Sequence, residues 1–132
     1  MKYLLDTDIC IYVINERPRK VLDRFLAQDV GDIGVSSVTA AELAYGVAKS
    51  GSIRNRNALE AFLMPLAIAD FNLAAAQSYG DVRARLAKLG RPIGPLDLMI
   101  AAQALVLGTI LVTNNEREFT RVAGLVIENW AA

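Results

Sequence analysis

The acidic residues that follow the first apolar segment are the strongest candidates for chemistry in this sequence. Residues 3–5 are apolar, and the carboxylates of Asp6 and Asp8 come directly after them, with the hydroxyl of Thr7 in between. The chain of 132 residues contains no histidine and one cysteine. Serine–histidine and cysteine–histidine nucleophiles, histidine-ligated zinc and an internal disulfide are therefore excluded. In an enzyme of this composition, proton transfer and metal binding must fall to carboxylates.

Further acidic and amide side chains lie where they could join this first group. Glu42 and Asp97 are near the starts of two predicted helices, and Asn114–Glu116 follow a predicted strand. In parallel α/β sheets, sites form at the carboxyl ends of the strands, where the following helices begin. Carboxylates gathered there without a basic partner would repel one another. An all-oxygen ligand set suits Mg²⁺ or Mn²⁺ rather than zinc, so the pattern indicates a site for one of these cations.

Each of these acidic positions also has a purely structural interpretation. Asp6 or Asp8 could cap a helix, and we assign Asp8 as the cap and Asp6 as the ligand. The stretch Thr39–Glu42 has the capping-box pattern, which by itself accounts for Glu42. Asp97 would stabilise a positive helix N-terminus whatever its function. The combination of positions, and not any single residue, therefore carries the prediction of a metal site.

Strands and helices alternate along the chain, which predicts a parallel α/β sheet with helices on both faces. The length and an apolar content of 54% predict one domain, residues 1–132, with a substantial core. Predicted strands occupy residues 2–6, 33–35, 66–70, 109–113 and 125–127, and predicted helices occupy residues 9–14, 18–26, 55–63, 72–89 and 96–107, with one more starting at residue 39.

The charge pattern gives limited information on partners. The formal net charge is zero, so overall charge does not indicate nucleic-acid binding. A local basic cluster at the end of the longest helix is a candidate RNA contact, although such clusters commonly complement the helix dipole. Its members are Arg83, Arg85, Lys88 and Arg91. No apolar run approaches the ~20 residues that span a bilayer, and no basic-then-apolar leader opens the chain, so we expect a cytoplasmic protein.

Several blocks of this sequence resemble the signature blocks of a known family. They are Leu5–Asp8, Ser36–Gly46, Pro92–Ala102 and Leu111–Phe119, together with the ending Arg121–Trp130. In order and spacing they are similar to the PIN-domain family and, within it, to the VapC ribonuclease toxins of bacterial toxin–antitoxin pairs. The resemblance covers essentially the whole chain. It implies an α/β/α sandwich with a parallel sheet of about five strands, and endoribonuclease activity that depends on Mg²⁺ or Mn²⁺.

The resemblance also implies roles for individual acidic residues. Asp6, Glu42 and Asp97 match the three acidic positions that hold the metal. Asn115 falls where many relatives have a fourth acidic residue, and whether Glu116 or Glu118 replaces that charge stays open. Asp8 stands where an asparagine is common in this group.

The substrate and partners follow from the same resemblance. Thr7 and Thr39 match hydroxyl positions near the site, and we assign them, with the basic cluster, to substrate binding. The approach Arg91–Pro95 resembles that of the subgroup that cuts the anticodon stem-loop of initiator tRNA. A VapB-type antitoxin that covers the active-site side and a homodimer are the implied protein partners.

Two other functions stay open at this point. One is a Mg²⁺-dependent phosphatase on a related α/β scaffold, with a nucleophilic aspartate at a strand end. An enzyme that forms an acyl phosphate would also need an activating lysine near the later strands, and none follows Lys88. The other is a non-catalytic PIN-like RNA-binding module, which would have no need to keep all three carboxylates.

Overall fold

Five short strands form the sheet of this protein, whose residues 1–132 are all described by a computed structural model. The strands are β1 (Tyr3–Leu5), β2 (Ile33–Ser36), β3 (Ala67–Ala69), β4 (Ile110–Val112) and β5 (Ile127–Glu128). They lie side by side in the order β3-β2-β1-β4-β5, and every neighbouring pair is parallel. The predicted five-stranded parallel sheet is thus confirmed, with β1 at its centre.

Seven helices cover the two faces of the sheet. They are α1 (Thr7–Asn15), α2 (Arg19–Leu26), α3 (Ser37–Ser50), α4 (Ile53–Leu63), α5 (Leu73–Lys88), α6 (Pro95–Leu107) and α7 (Glu116–Phe119), and a 3₁₀ turn at Val30–Asp32 precedes β2. As predicted, α6 ends at Gly108, whose positive φ of 66° suits glycine. None of the helices has both the length and the apolar character needed to cross a membrane.

The alternation of side chains along β1 divides the apolar core into two layers. Tyr3 and Leu5 point to the layer that α1 to α4 cover, where Trp130 packs edge-on against Tyr3 at 5.3 Å between ring centroids. Leu4 points to the opposite layer, with α5 and α6. Because successive residues of a strand face opposite sides, three consecutive apolar residues serve both layers. All three are buried, so the strand that leads to Asp6 is held from both faces.

Helices α5 and α6 form an antiparallel hairpin joined by residues 89–94. The Ser78 hydroxyl donates to the carbonyl of Ala102 at 3.1 Å. The amide of Gln103 donates to the carbonyls of Ala69 and Asp70 at 3.1 and 2.9 Å, which ties the middle of α6 to the end of β3. This geometry brings the C-terminal end of α5 beside the N-terminal end of α6, where Asp97 lies.

Helix α1 begins earlier than predicted, and its cap is a different residue. The Asp6 carboxylate accepts a hydrogen bond from the backbone N–H of Ile9 at 2.9 Å, which makes Asp6 the N-cap. The assignment of Asp8 as the cap is therefore wrong, since Asp8 lies within the first turn. The reason is that β1 pairing continues up to the N–H of Asp6, which donates to the carbonyl of Val112, and the helix starts at the next residue.

Helix α3 also starts earlier, and this changes the interpretation of Glu42. The hydroxyl of Ser36, at the end of β2, accepts from the N–H of Val38 at 3.0 Å and caps the helix. Thr39 is therefore inside the helix, and the predicted capping box is wrong. Glu42 lies in the second turn, so capping no longer explains it. The last strand, β5, begins two residues later than the predicted 125–127.

Candidate active site

Strand register brings three polar residues to the same level at the carboxyl edge of the sheet. Leu5 pairs with Val35 on one side and with Val112 on the other. The residues that follow these three are Asp6, Ser36 and Thr113, all of them buried. The edge predicted from the order of strands and polar residues is therefore the place where the site is built.

Asp6 is the most deeply buried carboxylate of this edge, with 4% of its surface exposed. Burial raises its pKa from 3.8 to about 6, because a low-dielectric surrounding disfavours the charged form. Hydrogen bonds from the Thr113 hydroxyl and from the N–H of Ile9 lower this pKa, whereas the charges of Asp8 and Asp97 raise it. Asp6 is thus oriented by neutral donors while it faces other acids.

Asp97 lies in the first turn of α6, as predicted. Burial is the largest cause that raises its pKa from 3.8 to about 6, and the charges of Glu118, Glu42 and Asp8 follow in that order. These couplings place Asp97 among acids that come from three other parts of the chain. The structure therefore brings Asp6, Glu42 and Asp97 to one edge.

Two threonines support Glu42. The hydroxyl of Thr7 donates to Glu42 Oε1 at 2.6 Å, a short bond to a charged acceptor. The hydroxyl oxygens of Thr7 and Thr39 are 3.3 Å apart. Thr39 is fully buried, so its side chain is out of reach of a bound RNA in this structure. Thr7 links α1, which Asp6 caps, to the carboxylate on α3.

Asn115 belongs to the same edge, where its side chain is hydrogen-bonded to Glu118. Its backbone N–H donates to Thr113 Oγ1 at 2.9 Å, and its side-chain amide donates to Glu118 Oε2 at 3.1 Å. It makes no side-chain cap for α7.

The acids of this edge have no basic partner. The two salt bridges of the protein join Arg19 to Asp23 and Arg24 to Glu128, and neither involves Asp6, Glu42 or Asp97. No three acidic side chains are close enough to ligate one ion together directly. Mg²⁺ is commonly held by one or two carboxylates with several waters, so this open, all-oxygen and negatively charged arrangement fits Mg²⁺ or Mn²⁺.

The basic cluster divides between two sides of α5. Arg83 Nη1 donates to the Tyr79 hydroxyl at 2.8 Å, and Arg83 lines a cleft of about 240 Å³ together with Pro92, Pro95 and Leu98 at the start of α6. Arg83 is therefore next to the helix start that carries Asp97. All four cluster residues are exposed. Arg85 and Lys88 lie one turn apart on another side of α5, and neither lines this cleft.

An apolar groove of about 230 Å³ runs up to the acidic edge between α1, α3 and α4. Thr7 and Glu42 line it at the polar end. Its apolar lining residues are Ile11, Ile14, Leu43, Val47, Ala58 and Leu59. A ligand that fills this groove reaches the Thr7–Glu42 hydrogen bond.

Thr113 and Glu118 are the residues whose contribution the sequence reasoning missed or left undecided. Thr113 ends the predicted strand 109–113 without a predicted role, although a hydroxyl at the end of a buried strand is a possible hydrogen-bond donor to the neighbouring Asp6. Glu118 is one of the two residues that could replace the fourth acidic charge. It lies three residues after Asn115, which is about one helical turn, so the two side chains can contact each other.

The raised pKa of Asp6 predicts that the free energy of unfolding of chelator-treated protein falls as the pH rises. Because the folded protein holds the proton of Asp6 more tightly than the unfolded chain does, this proton stabilises the fold below about pH 3.8. The contribution is lost as the pH rises to about 6 and the buried carboxyl ionises. Asp6→Asn keeps a good N-cap and removes the charge, so at pH 7.5 it raises the free energy of unfolding by ~2–3 kcal/mol. Urea denaturation at pH 4 and pH 7.5 measures this.

The control for that comparison is Asp29→Asn, an exposed aspartate whose side chain has no hydrogen bond. Its effect is small at both pH values. Equal stability of Asp6→Asn and the wild type at pH 7.5 would contradict the prediction.

The chain is similar along its whole length to proteins of one family. The PIN domain family matches residues 3–125. A "tRNA(fMet)-specific endonuclease VapC" of Shigella flexneri is 46% identical over 132 residues, 99% of each chain, and "Ribonuclease VapC2" of Haemophilus influenzae (strain ATCC 51907 / DSM 11121 / KW20 / Rd) is 49% identical over 131 residues, 98% of each chain. DNA-bound VapBC from Salmonella typhimurium contains a chain of the same fold, with a TM-score of 0.90, 41% identity and 98% coverage of both chains. The protein therefore belongs to the PIN-domain family and, within it, to the group of VapC proteins.

Proposed function

We propose that this protein is a metal-dependent endoribonuclease, the toxin of a VapBC-type toxin–antitoxin pair. The observation that carries the proposal is the meeting of Asp6, Glu42 and Asp97, without any basic partner, at the carboxyl edge of the sheet. Such an acidic edge suits a divalent cation, and the cation in turn suits the phosphate of a phosphodiester. The likeness to VapC endonucleases over the full chain supports the same reaction.

In the proposed mechanism, Asp6, Glu42 and Asp97 would hold Mg²⁺ or Mn²⁺, at least one of them through a water molecule, because the three are not close enough to ligate one ion directly. The bound cation would neutralise charge at the scissile phosphate and lower the pKa of a water molecule. Ile9 and Thr113 orient the Asp6 carboxylate, and Thr7 orients that of Glu42. One carboxylate would accept the proton of the attacking water as the new P–O bond forms, and the bond to the 3′-oxygen would break, with that oxygen taking up a proton from solvent to leave as a hydroxyl. No histidine is required for these proton transfers.

The proposed substrate is a structured RNA, and the relatives favour initiator tRNA. Two relatives are named tRNA(fMet)-specific endonucleases. Arg83 is the basic residue with the best position for a phosphate contact, because it lines the cleft beside the start of α6. Arg85, Lys88 and Arg91 are proposed as further contacts from the same helix end, and Thr39 as a support of Thr7. We also propose that residues 1–132 are one domain and that the protein acts in the cytoplasm, where tRNA is.

The proposed protein partner is a VapB-type antitoxin that docks in the groove between α1, α3 and α4. The groove is apolar along most of its length and ends at Thr7 and Glu42. A partner segment that filled it would bury apolar surface and cover the acidic edge at the same time. A homodimer is proposed as the assembly that binds the antitoxin.

Asp97→Ala is expected to abolish cleavage of a labelled tRNA anticodon hairpin while the far-UV circular dichroism spectrum stays unchanged. The carboxylate contributes to the proposed cation site, and EDTA should stop the wild-type reaction in the same way. Asp29→Ala, which removes an exposed aspartate before β2, should cleave normally. Near-normal cleavage by folded Asp97→Ala protein, or turnover of a small phosphomonoester in place of the RNA, would refute the proposal.

Thr7→Val should lower the cleavage rate by ~10–100-fold, because it removes the hydroxyl that orients Glu42 and keeps the size of the side chain. Thr7→Ser keeps the donor and is expected to stay close to the wild-type rate. Single-turnover cleavage at saturating Mg²⁺ gives both values. If valine and serine variants react equally fast, the hydrogen bond to Glu42 has no part in catalysis.

Ile11→Glu should weaken antitoxin binding at least ~10-fold, because it places a charge in the apolar groove. The matched control is Leu107→Glu at the far end of α6, since the two side chains are similarly exposed, at 39% and 43%. Isothermal titration of each purified variant with the antitoxin measures the affinity. Unchanged affinity of the Ile11→Glu variant would place the antitoxin elsewhere.

A further inference from the structure

A cleft of about 240 Å³ lies between the C-terminal half of α5 and the start of α6, and the loop that joins the two helices forms its third side. Leu86 and Leu98 are buried and form its floor, and the exposed Pro92 and Pro95 form walls. Arg83 is the one charged residue of the lining. Pockets that enclose a whole drug-sized ligand usually measure about 300–1,000 Å³, so this cleft suits a single smaller flat group.

The loop that closes this cleft is held by two hydrogen bonds to backbone carbonyls. The N–H of Arg91 donates to the carbonyl of Leu86 at 2.9 Å, and Arg121 Nη1 donates to the carbonyl of Pro92 at 2.8 Å. The rings of Pro92 and Pro95 also fix the backbone φ at both positions. The cleft is therefore formed before a ligand enters, which lowers the entropic cost of binding.

Arg83 is oriented by a neutral side chain and keeps its charge uncompensated. Its Nη1 donates to the Tyr79 hydroxyl at 2.8 Å, and its guanidinium carbon lies 5.9 Å from the centroid of the Tyr79 ring. Arg83 takes part in neither salt bridge of the protein. The donors on Nε and Nη2 are therefore available to an anionic oxygen at the rim of the cleft.

The first turn of α6 joins the cleft to the acidic edge. Pro95 and Leu98 are three residues apart, so they share one side of the helix and line the cleft, whereas Asp97 lies on another side of the same turn. The carboxylate of Asp97 is close to the end of the loop, because a Cβ on Gly94 would be 4.0 Å from Asp97 Oδ2. A ligand that extends from the acidic edge across this helix start reaches the cleft.

We propose that this cleft binds one unpaired base of the RNA substrate, next to the phosphate that is cut, while Arg83 at the rim contacts the phosphate of the same nucleotide. This inference rests on the proposed function. Sequence-specific recognition of RNA mostly targets unpaired bases, which stack on side chains. Apolar residues that cover the faces of a base, with a positive charge beside them, match a nucleotide. No basic residue lines the groove between α1, α3 and α4, so the two surfaces suit different partners.

A series of labelled anticodon hairpins, each with one abasic loop nucleotide, tests the proposal in single-turnover cleavage at several protein concentrations. For the wild type, one abasic position next to the cut should raise the half-saturating protein concentration ~10-fold, because the stacking of that base is lost. Ala87→Leu, which fills the cleft from α5, should raise it by a similar factor with the unmodified hairpin and have no further effect with that abasic hairpin. Arg83→Met should weaken binding of both RNAs, since an abasic nucleotide keeps its phosphate.

Ala84→Leu is the matched control, because Ala84 is an exposed alanine of the same helix that does not line the cleft. It should stay within about twofold of the wild type with every hairpin. Mn²⁺ binding to each purified protein, measured by electron paramagnetic resonance of the free ion, should be unchanged in all three variants, because none of the three residues belongs to the acidic edge.

The outcomes separate this inference from the function on which it rests. If the wild type cleaves the hairpin but the losses from Ala87→Leu and from every abasic position are additive, the proposed function stands and the base-binding role is overturned. A loss of antitoxin affinity in Ala87→Leu with unchanged RNA cleavage would make the cleft a protein contact and overturn it as well. A wild-type protein that cleaves no RNA in the presence of Mg²⁺ overturns both.

Discussion

Negative charge without a basic partner, gathered at one edge of a parallel sheet, is the constraint on which the rest of this structure depends. Asp6 and Asp97 are raised in pKa by burial and by neighbouring acids, and no salt bridge relieves them. The side chains that orient the carboxylates are neutral, namely Thr7, Thr113 and Asn115. An ion pair would orient a carboxylate equally well, but it would also cancel the charge that a cation needs.

The scaffold holds these groups against their repulsion. β1 is central in the sheet and contributes buried residues to both core layers, so the position of Asp6 is determined from two faces. The buried helix α6 is pinned at its middle by Gln103 and packed along α5, which places Asp97 at its exposed start. Burial of many apolar side chains thus offsets the cost of a few charged ones.

Much of this arrangement was predictable from the sequence because it depends on local patterns. Apolar runs that alternate with amphipathic segments predicted the sheet, and Asp6, Glu42 and Asp97 were placed at strand ends or helix starts. The choice between neighbouring residues of the same type was not predictable. Asp6 and Asp8 both satisfy the rules for a cap, and the length of the β1–β4 pairing decides between them.

The same limit applies to α7 and α3. Glu116 and Glu118 are two residues apart, and only the rotation of a one-turn helix determines which of them faces the site. Thr39 fits a capping box, but the helix already begins at the end of the strand, where Ser36 is its N-cap. Such decisions depend on contacts between segments that are distant in the sequence, which no local pattern contains.

The two walls of the groove between α1, α3 and α4 differ in their relation to the acidic edge. Its inner wall includes Thr7 and Glu42, which belong to the acidic edge, whereas its outer wall on α4 includes Asn55, Ala58 and Leu59, which do not. If the antitoxin docks in this groove as proposed, changes at Asn55 or Ala58 on the outer wall would alter which antitoxin fits and leave the acidic edge intact. Related toxin–antitoxin pairs within one cell would therefore diverge in specificity along α4, and cross-reaction between them would be avoided there.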